Sequence, residues 1–257
     1  MLLPLSLLSA LACNVYITGL NQWSDIAVDK INKPWLPIAA GTLSEQNAMR
    51  IVLASGIVSL AVAAYLSWPF FGLIVAIISI GTAYSLPPLK LKRNHLLAAA
   101  AISIVRGLLV NIGFYMHFRY EIMGDWTLPI AIIPLTVFVT GFSLGIAWFK
   151  DIPDTKGDAV YKFGTLAVTS GRQKAFILGV IVVSLAYVYI IFAALMGQLP
   201  AMFYYIITHS AALFLFLFQA WALQVSDDQQ VKRFYLFFWG LFFLEYLIYP
   251  IGFYLPF

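Results

Sequence analysis

The chain has 257 residues, of which 62% are hydrophobic, 16% aromatic and only 10% charged. A mean hydropathy of +0.91 excludes an ordinary soluble domain. Fifteen Lys and Arg against eleven Asp and Glu leave a net charge of +4. The basic residues gather at one face, as set out below, so the excess gives no reason to expect a nucleic-acid partner.

Eight apolar runs dominate the sequence: residues 2–23, 46–68, 69–86, 96–117, 128–149, 173–196, 199–223 and 234–254. A helical span needs roughly 20 residues, and only the third run falls short. In lipid, only helices and closed barrels satisfy their own backbone. The runs are too long for barrel strands and lack their alternation, so helices are predicted. The expected fold is an all-α, multi-pass bundle of eight spans in the lipid bilayer, a single membrane domain over residues 1–257. Cys13, the lone cysteine, excludes a disulfide within the chain and a cysteine-based metal cluster.

The connections alternate in charge. Thirteen of the fifteen basic residues fall in every second connection, from Lys30, Lys33 and Arg50 through to Lys232 and Arg233. Arg119 lies on the other side and Arg106 inside a span. By the positive-inside rule, the basic side is cytoplasmic or stromal.

Two acidic motifs lie on that same side. The first, N-Q-W-S-D-I-A-V-D, carries Asn21, Asp25 and Asp29 at the end of the first run. Their i, i+4, i+8 spacing makes one stripe if the segment is helical. The second, D-I-P-D-T-K-G-D, carries Asp151, Asp154 and Asp158 at the end of the fifth run. Pro153 and Gly157 leave it either a loop or a newly started turn. Carboxylates near a bilayer persist where they meet water, a partner or a metal ion. Two such groups facing each other can hold Mg²⁺ with positions open for substrate oxygens. Lys33, Lys90, Lys92, Arg93 and Lys150 surround the same mouth and add charge suited to a diphosphate. The bland alternative is that these residues only cap helices at the interface; two clusters on one side, each at a span end, favour the functional one.

These blocks resemble the UbiA superfamily of intramembrane aromatic prenyltransferases. Besides the two aspartate motifs, the resemblance is carried by the D-K-I-N-K-P segment (29–34), the Y-S-L-P-P-L-K-L-K block (84–92) and the F-F-L-E-Y ending (242–246). It leans towards the homogentisate prenyltransferases, the phytyl-transferring ones in particular, of cyanobacterial or plastid-type membranes. It implies Mg²⁺ as cofactor, with phytyl diphosphate and homogentisate as substrates and CO₂ lost from the latter. Geranylgeranyl or solanesyl transfer and chlorophyll synthesis are the alternatives within the superfamily, and a membrane transporter is the alternative outside it. The superfamily has nine spans, and this chain begins in what resembles the second, so one helix is expected upstream.

Residue by residue, the resemblance implies Asn21, Asp25, Asp29, Asp151, Asp154 and Asp158 as metal ligands. Asp25, Asp29, Asp154, Asp158 and Tyr84 are the candidates for the catalytic centre. Asn21, Lys33, Lys90, Arg93, Lys150, Arg106 and Asn111 are candidates to bind the diphosphate. Tyr84 reads equally as an interfacial anchor, and Asn111 as a polar link between helices. Arg106 lies mid-span, where a charge costs about 2.5–3.5 kcal/mol on insertion scales. Three roles are open to it: an ion pair with Glu245 of the last run, the diphosphate, or the acceptor carboxylate. His95, His117 and His209 have no metal-ligand spacing and are expected to pack or sit at the interface.

Overall fold

The computed structural model describes residues 1–255. Eight helical segments are long and apolar enough to cross a membrane. In chain order they are α1 (Leu2–Ser24), α3 (Glu45–Leu66), α4 (Trp68–Ser85), the composite span His95–Met123, α7 (Ile132–Asp151), α10 (Arg172–Leu195), α11 (Met202–Trp221) and α12 (Asp228–Ile251). Three short helices lie between spans: α2 (Ile26–Asn32), α8 (Thr155–Val160) and α9 (Leu166–Ser170). The composite span is made of α5 (His95–Ser103), a wide π-helical stretch (Ile104–Gly113) and α6 (Phe114–Met123).

The bundle is an integral membrane structure, and its outer surface shows it. Leu3, Ile57, Leu185, Phe203, Phe214 and Leu236 are all strongly exposed. In water such a surface would be an association hazard, and in lipid it is the solvated face. Where α1 meets α3 the buried side instead carries small and polar residues. Ser9 and Ser59, both fully buried, donate to each other's backbone carbonyls at 2.8 Å and so bind α1 to α3. Gly56 receives the Tyr16 ring, leaving no room for a Cβ. This is how helices associate where lipid tails are as apolar as leucine: by close packing and interhelical hydrogen bonds.

The second half is held by aromatic packing. Phe138, Phe142 and Phe149 of α7, Tyr187 of α10, Phe216 of α11, and Phe234 and Phe238 of α12 form one buried cluster. Phe142 stacks on Phe238 at 4.7 Å between centroids, and Phe149 meets Phe238 edge-on at 5.1 Å.

The π-helical stretch was not expected from the sequence. Its widened turn is satisfied by Asn111, whose Nδ2 donates to the carbonyls of Arg106 (2.9 Å) and Gly107 (2.8 Å). Tyr246 of α12 donates to Asn111 Oδ1 at 3.1 Å and fixes the amide. Asn111 is therefore held by backbone and a tyrosine, away from the acidic mouth.

Of the three roles open to Arg106, the ion pair with Glu245 does not form. The Glu245 carboxylate meets His209 Nε2 at 3.1 Å, both residues being buried between α11 and α12. Arg106 turns instead to Trp239 and Phe242 of α12. Rotation about the helix axis decides which neighbour a side chain meets, and position along the span does not encode it. The other histidines pack: His117 bonds Ser6 at 3.0 Å and stacks on Phe70, while His95 contacts the Gly164 carbonyl at 3.2 Å.

Candidate active site

Both acidic motifs lie at the same end of the bundle, each where a span gives way to a short helix. α1 ends at Ser24, and Asp25 bridges to α2 with φ −116° and ψ 14°. The Asp29 N–H bonds the Asp25 carbonyl at 2.8 Å, and Asn21, Asp25 and Asp29 still line one cavity across the break. At the second motif, α7 runs to Asp151, a turn through Pro153 follows, and Asp154 starts α8. This is the newly started turn among the two expected alternatives. Neither Asp25 nor Asp154 makes a side-chain capping bond to the helix it precedes. The bland capping role is thus unsupported for both.

The two short helices clasp each other. Asn32 of α2 donates to Asp158 Oδ1 at 3.2 Å and accepts from the Gly157 N–H at 2.9 Å. Gly157 is required there, because a Cβ would collide with the Asn32 amide. A second tie joins the basic connection to the loop after α8. Gly164 N–H donates to the Arg93 carbonyl (2.9 Å), and His95 N–H to the Gly164 carbonyl (3.1 Å).

Between these ties lies a cavity of about 290 Å³, lined by all six motif residues and by Lys33, Tyr84, Lys92 and Lys150. Lysines neutralise the carboxylates. Lys33 Nζ lies 2.5 Å from Asp154 Oδ2. Lys92 Nζ reaches Asp25 Oδ2 (2.7 Å), Ser24 Oγ (2.6 Å) and Asn21 Oδ1 (3.5 Å). Lys150 Nζ donates to the Tyr84 hydroxyl at 3.0 Å and lies 3.6 Å from Asp151.

The basic connection is sorted by its backbone. Lys90 adopts a left-handed conformation and starts the 3₁₀ turn Leu91–Arg93, which turns Lys92 inward and leaves Arg93 exposed. Lys90 is 4.0 Å from Asp25 Oδ1, too far for a hydrogen bond. Lys92, not Lys90 or Arg93, makes the close contacts. The K-L-K-R string shows three cations but not which one a 3₁₀ turn will aim.

Burial shapes the electrostatics. Desolvation pushes Asp29 up to about 6, with Lys33 opposing and Asp25 and Asp154 reinforcing. It pushes Asp158 to about 7, reinforced by Asp151 and Asp154. Desolvation lowers Lys92 to about 8 despite Asp25 beside it. Asp29 and Asp158 are therefore held back from full ionisation chiefly by burial and secondarily by the charge of neighbouring aspartates.

Among the described residues, no three carboxylates, imidazoles or thiols yet converge as a closed metal cage. The donor set nonetheless fits a hard divalent cation, being carboxylate and amide oxygens throughout. Asp25 Oδ1 is buried with no hydrogen-bond partner, an acceptor open to a further donor or cation.

A second cavity, about 460 Å³, continues inward from the first, sharing Thr18, Asn21, Tyr84 and Lys150 with it. Its wall is mainly apolar, including Ile74, Ile77, Val110 and Phe114, and it also meets Arg106, Tyr235 and Trp239. Arg106 is thus placed in the inner chamber and does not line the acidic mouth.

An intramembrane helix bundle with two acidic motifs at the mouth of an apolar chamber defines a class of prenyl-transferring membrane enzymes. The chain belongs to the UbiA prenyltransferase family, whose profile matches residues 1–242. It is similar to the homogentisate phytyltransferase of Synechocystis sp., at 41% identity over 97% of this chain and 81% of that protein. It is 36% identical to homogentisate phytyltransferase 1 of Arabidopsis thaliana, covering 95% of this chain and 64% of that one. The Arabidopsis homogentisate solanesyltransferase is 39% identical, with 96% of this chain and 65% of that protein covered. The chain thus spans about two thirds of the plant proteins. Among solved structures, a UbiA homolog from Archaeoglobus fulgidus bound to DMAPP and Mg²⁺ superposes with a TM-score of 0.68 at 17% identity, over 97% of this chain and 85% of that one. At that identity the likeness speaks for the fold.

Proposed function

We propose that this prenyltransferase moves a phytyl group from phytyl diphosphate to homogentisate. The observation that carries the reading is the meeting of both acidic motifs and three lysines at a mouth that opens into an apolar chamber. The naming of relatives at 36–41% identity supports the choice of substrates.

In this reading Asn21, Asp25, Asp29, Asp151, Asp154 and Asp158 hold Mg²⁺, which when bound supplies positive charge to the diphosphate leaving group. Lys33, Lys92 and Lys150 are released from their carboxylates and turn to the diphosphate oxygens. The allylic C–O bond breaks with its electron pair going to the diphosphate. The chamber wall keeps water from the resulting carbocation, and Tyr84, Tyr235 and Trp239 are part of that wall. The homogentisate ring supplies the pair for the new C–C bond and loses a ring proton. The carboxylate of the acetate side chain then leaves as CO₂, and the pair of the broken C–C bond stays on the benzylic carbon, which takes up a proton to become methyl. The motifs face the cytoplasm or stroma, the side on which the basic connections lie.

The test is an assay of membranes containing the chain, with Mg²⁺ and labelled homogentisate. Phytyl, geranylgeranyl and solanesyl diphosphates are offered in parallel. Methyl-phytyl-benzoquinol and CO₂ are the expected products. Prenylation of 4-hydroxybenzoate or chlorophyllide with none of homogentisate overturns the reading, and preference for another prenyl donor reassigns the tail.

A further inference from the structure

Arg106 is not accounted for by the chemistry at the mouth. It sits mid-span in the π-helical stretch and lines the inner chamber together with Tyr84, Lys150, Tyr235 and Trp239. No carboxylate among the described residues lies within 4.0 Å of it, and its Nη1 is buried without a hydrogen-bond partner. The acid that could have neutralised it, Glu245, is held by His209. A guanidinium in a bilayer interior calls for an anion or a water-filled cavity.

Its surroundings hold it in place. The guanidinium carbon lies 5.1 Å from the Trp239 ring centroid and 5.8 Å from that of Phe242. Contacts of this kind fix a guanidinium while leaving hydrogen-bonding edges free, and those edges match a carboxylate in bidentate fashion. The backbone that carries it is pinned, since Asn111 bonds the Arg106 carbonyl and Tyr246 bonds Asn111. Wide helical turns of this sort occur frequently at functional sites. In the proposed reaction the three lysines at the mouth meet the diphosphate, which leaves Arg106, deeper in, free for a different negative charge.

We propose that Arg106 anchors the carboxylate of the aromatic acceptor in the inner chamber, with Trp239 and Tyr235 beside the acceptor ring. The proposal rests on the function given above and deepens it. It makes Arg106 the residue that selects a carboxylate-bearing hydroquinone over the same ring without the acid.

The experiment uses the full chain in membranes with Mg²⁺ and phytyl diphosphate. Homogentisate is compared with methylhydroquinone, the same ring lacking the carboxylate, and phenylacetate is the competing probe. In the unaltered protein, homogentisate is preferred and phenylacetate competes with it. Arg106→Gln raises the KM for homogentisate roughly ten- to a hundredfold, the loss of one charge-assisted contact. It leaves the KM for phytyl diphosphate within about twofold, abolishes the preference over methylhydroquinone and abolishes inhibition by phenylacetate. Arg106→Lys restores part of each.

A rise in the KM for phytyl diphosphate alone assigns Arg106 to the diphosphate and overturns the proposal. An unchanged acceptor preference reduces Arg106 to a packing residue and also overturns it. If Arg106→Gln fails to insert, the unaltered protein decides: equal use of both acceptors with no phenylacetate inhibition defeats the proposal. Failure of the parent function is separate. Homogentisate then gives no product, yet quenching of tryptophan fluorescence by phenylacetate still reports whether the chamber takes an arylacetate.

Discussion

Asp25 and Asp154 each pair with a lysine and leave the helix they precede without a side-chain cap. Removing either one therefore takes charge from the mouth and no capping bond from the fold. Asp25→Ala and Asp154→Ala are expected to lose turnover by at least about a hundredfold while remaining inserted and folded. Product formation and detergent size-exclusion profiles check this. A cap loss would show instead as about 0.5–2 kcal/mol of stability with turnover kept.

The raised carboxylates give a pH test with a defined sign. Asp29 moves from 3.8 to about 6 and Asp158 from 3.8 to about 7, chiefly through burial. Between those limits the folded protein binds more protons than the unfolded chain, so without metal its stability falls as pH rises through that window. Metal affinity runs the opposite way, because ligands must be deprotonated. Thermal unfolding in chelator should decline from pH 5 to 8, and added Mg²⁺ should raise the midpoint most at pH 8. Chelator should also abolish turnover, and Mg²⁺ should restore it; full activity in chelator would sink the proposed use of the motifs.

At the scale of elements, helices were legible wherever apolar residues ran on, and their ends were not. The last span begins at Asp228, six positions before the apolar run. Asp227 caps it by accepting from the Gln229 and Gln230 N–H groups at 2.8 and 3.2 Å. Polar first turns lie outside any apolar count, so hydropathy misses them. The fifth span starts at Ile132 where the run began at 128, because the Pro129 carbonyl is spent in a turn to Ile132 N–H. The π-helical stretch had no signal at all. It depends on Tyr246, 135 positions away, holding Asn111 in place. Asn111→Ala strips two carbonyls of their side-chain donor, and a buried group left unsatisfied costs about 1–3 kcal/mol. Thermal unfolding in detergent should show that loss, and Tyr246→Phe a smaller one.

For the molecule as a whole, the sequence was informative about the mouth because charge is rare in this chain and therefore conspicuous. Five aspartates in two motifs mark the cavity that the structure encloses. It was silent about the interior, where Arg106 and Glu245 looked like partners and each met a different neighbour. The proposed cytoplasmic or stromal orientation of the mouth rests on the basic connections, and labelling can test it. Lys156 is exposed in α8, and Cys13 is buried. Lys156→Cys should react with an impermeant thiol reagent from the cytoplasmic or stromal side only. Labelling from the opposite side reverses the orientation.

The clasp of Asn32 with Gly157 and Asp158, together with the Lys33–Asp154 pair, joins residues more than 120 positions apart. Each half of the chain can enter the bilayer as it is made, but neither can complete this seam alone. Until the second half docks, Lys33 has no Asp154, and Asp158 has no amide from Asn32. The charges at the mouth thus reach their partners only when both halves have arrived and met in register.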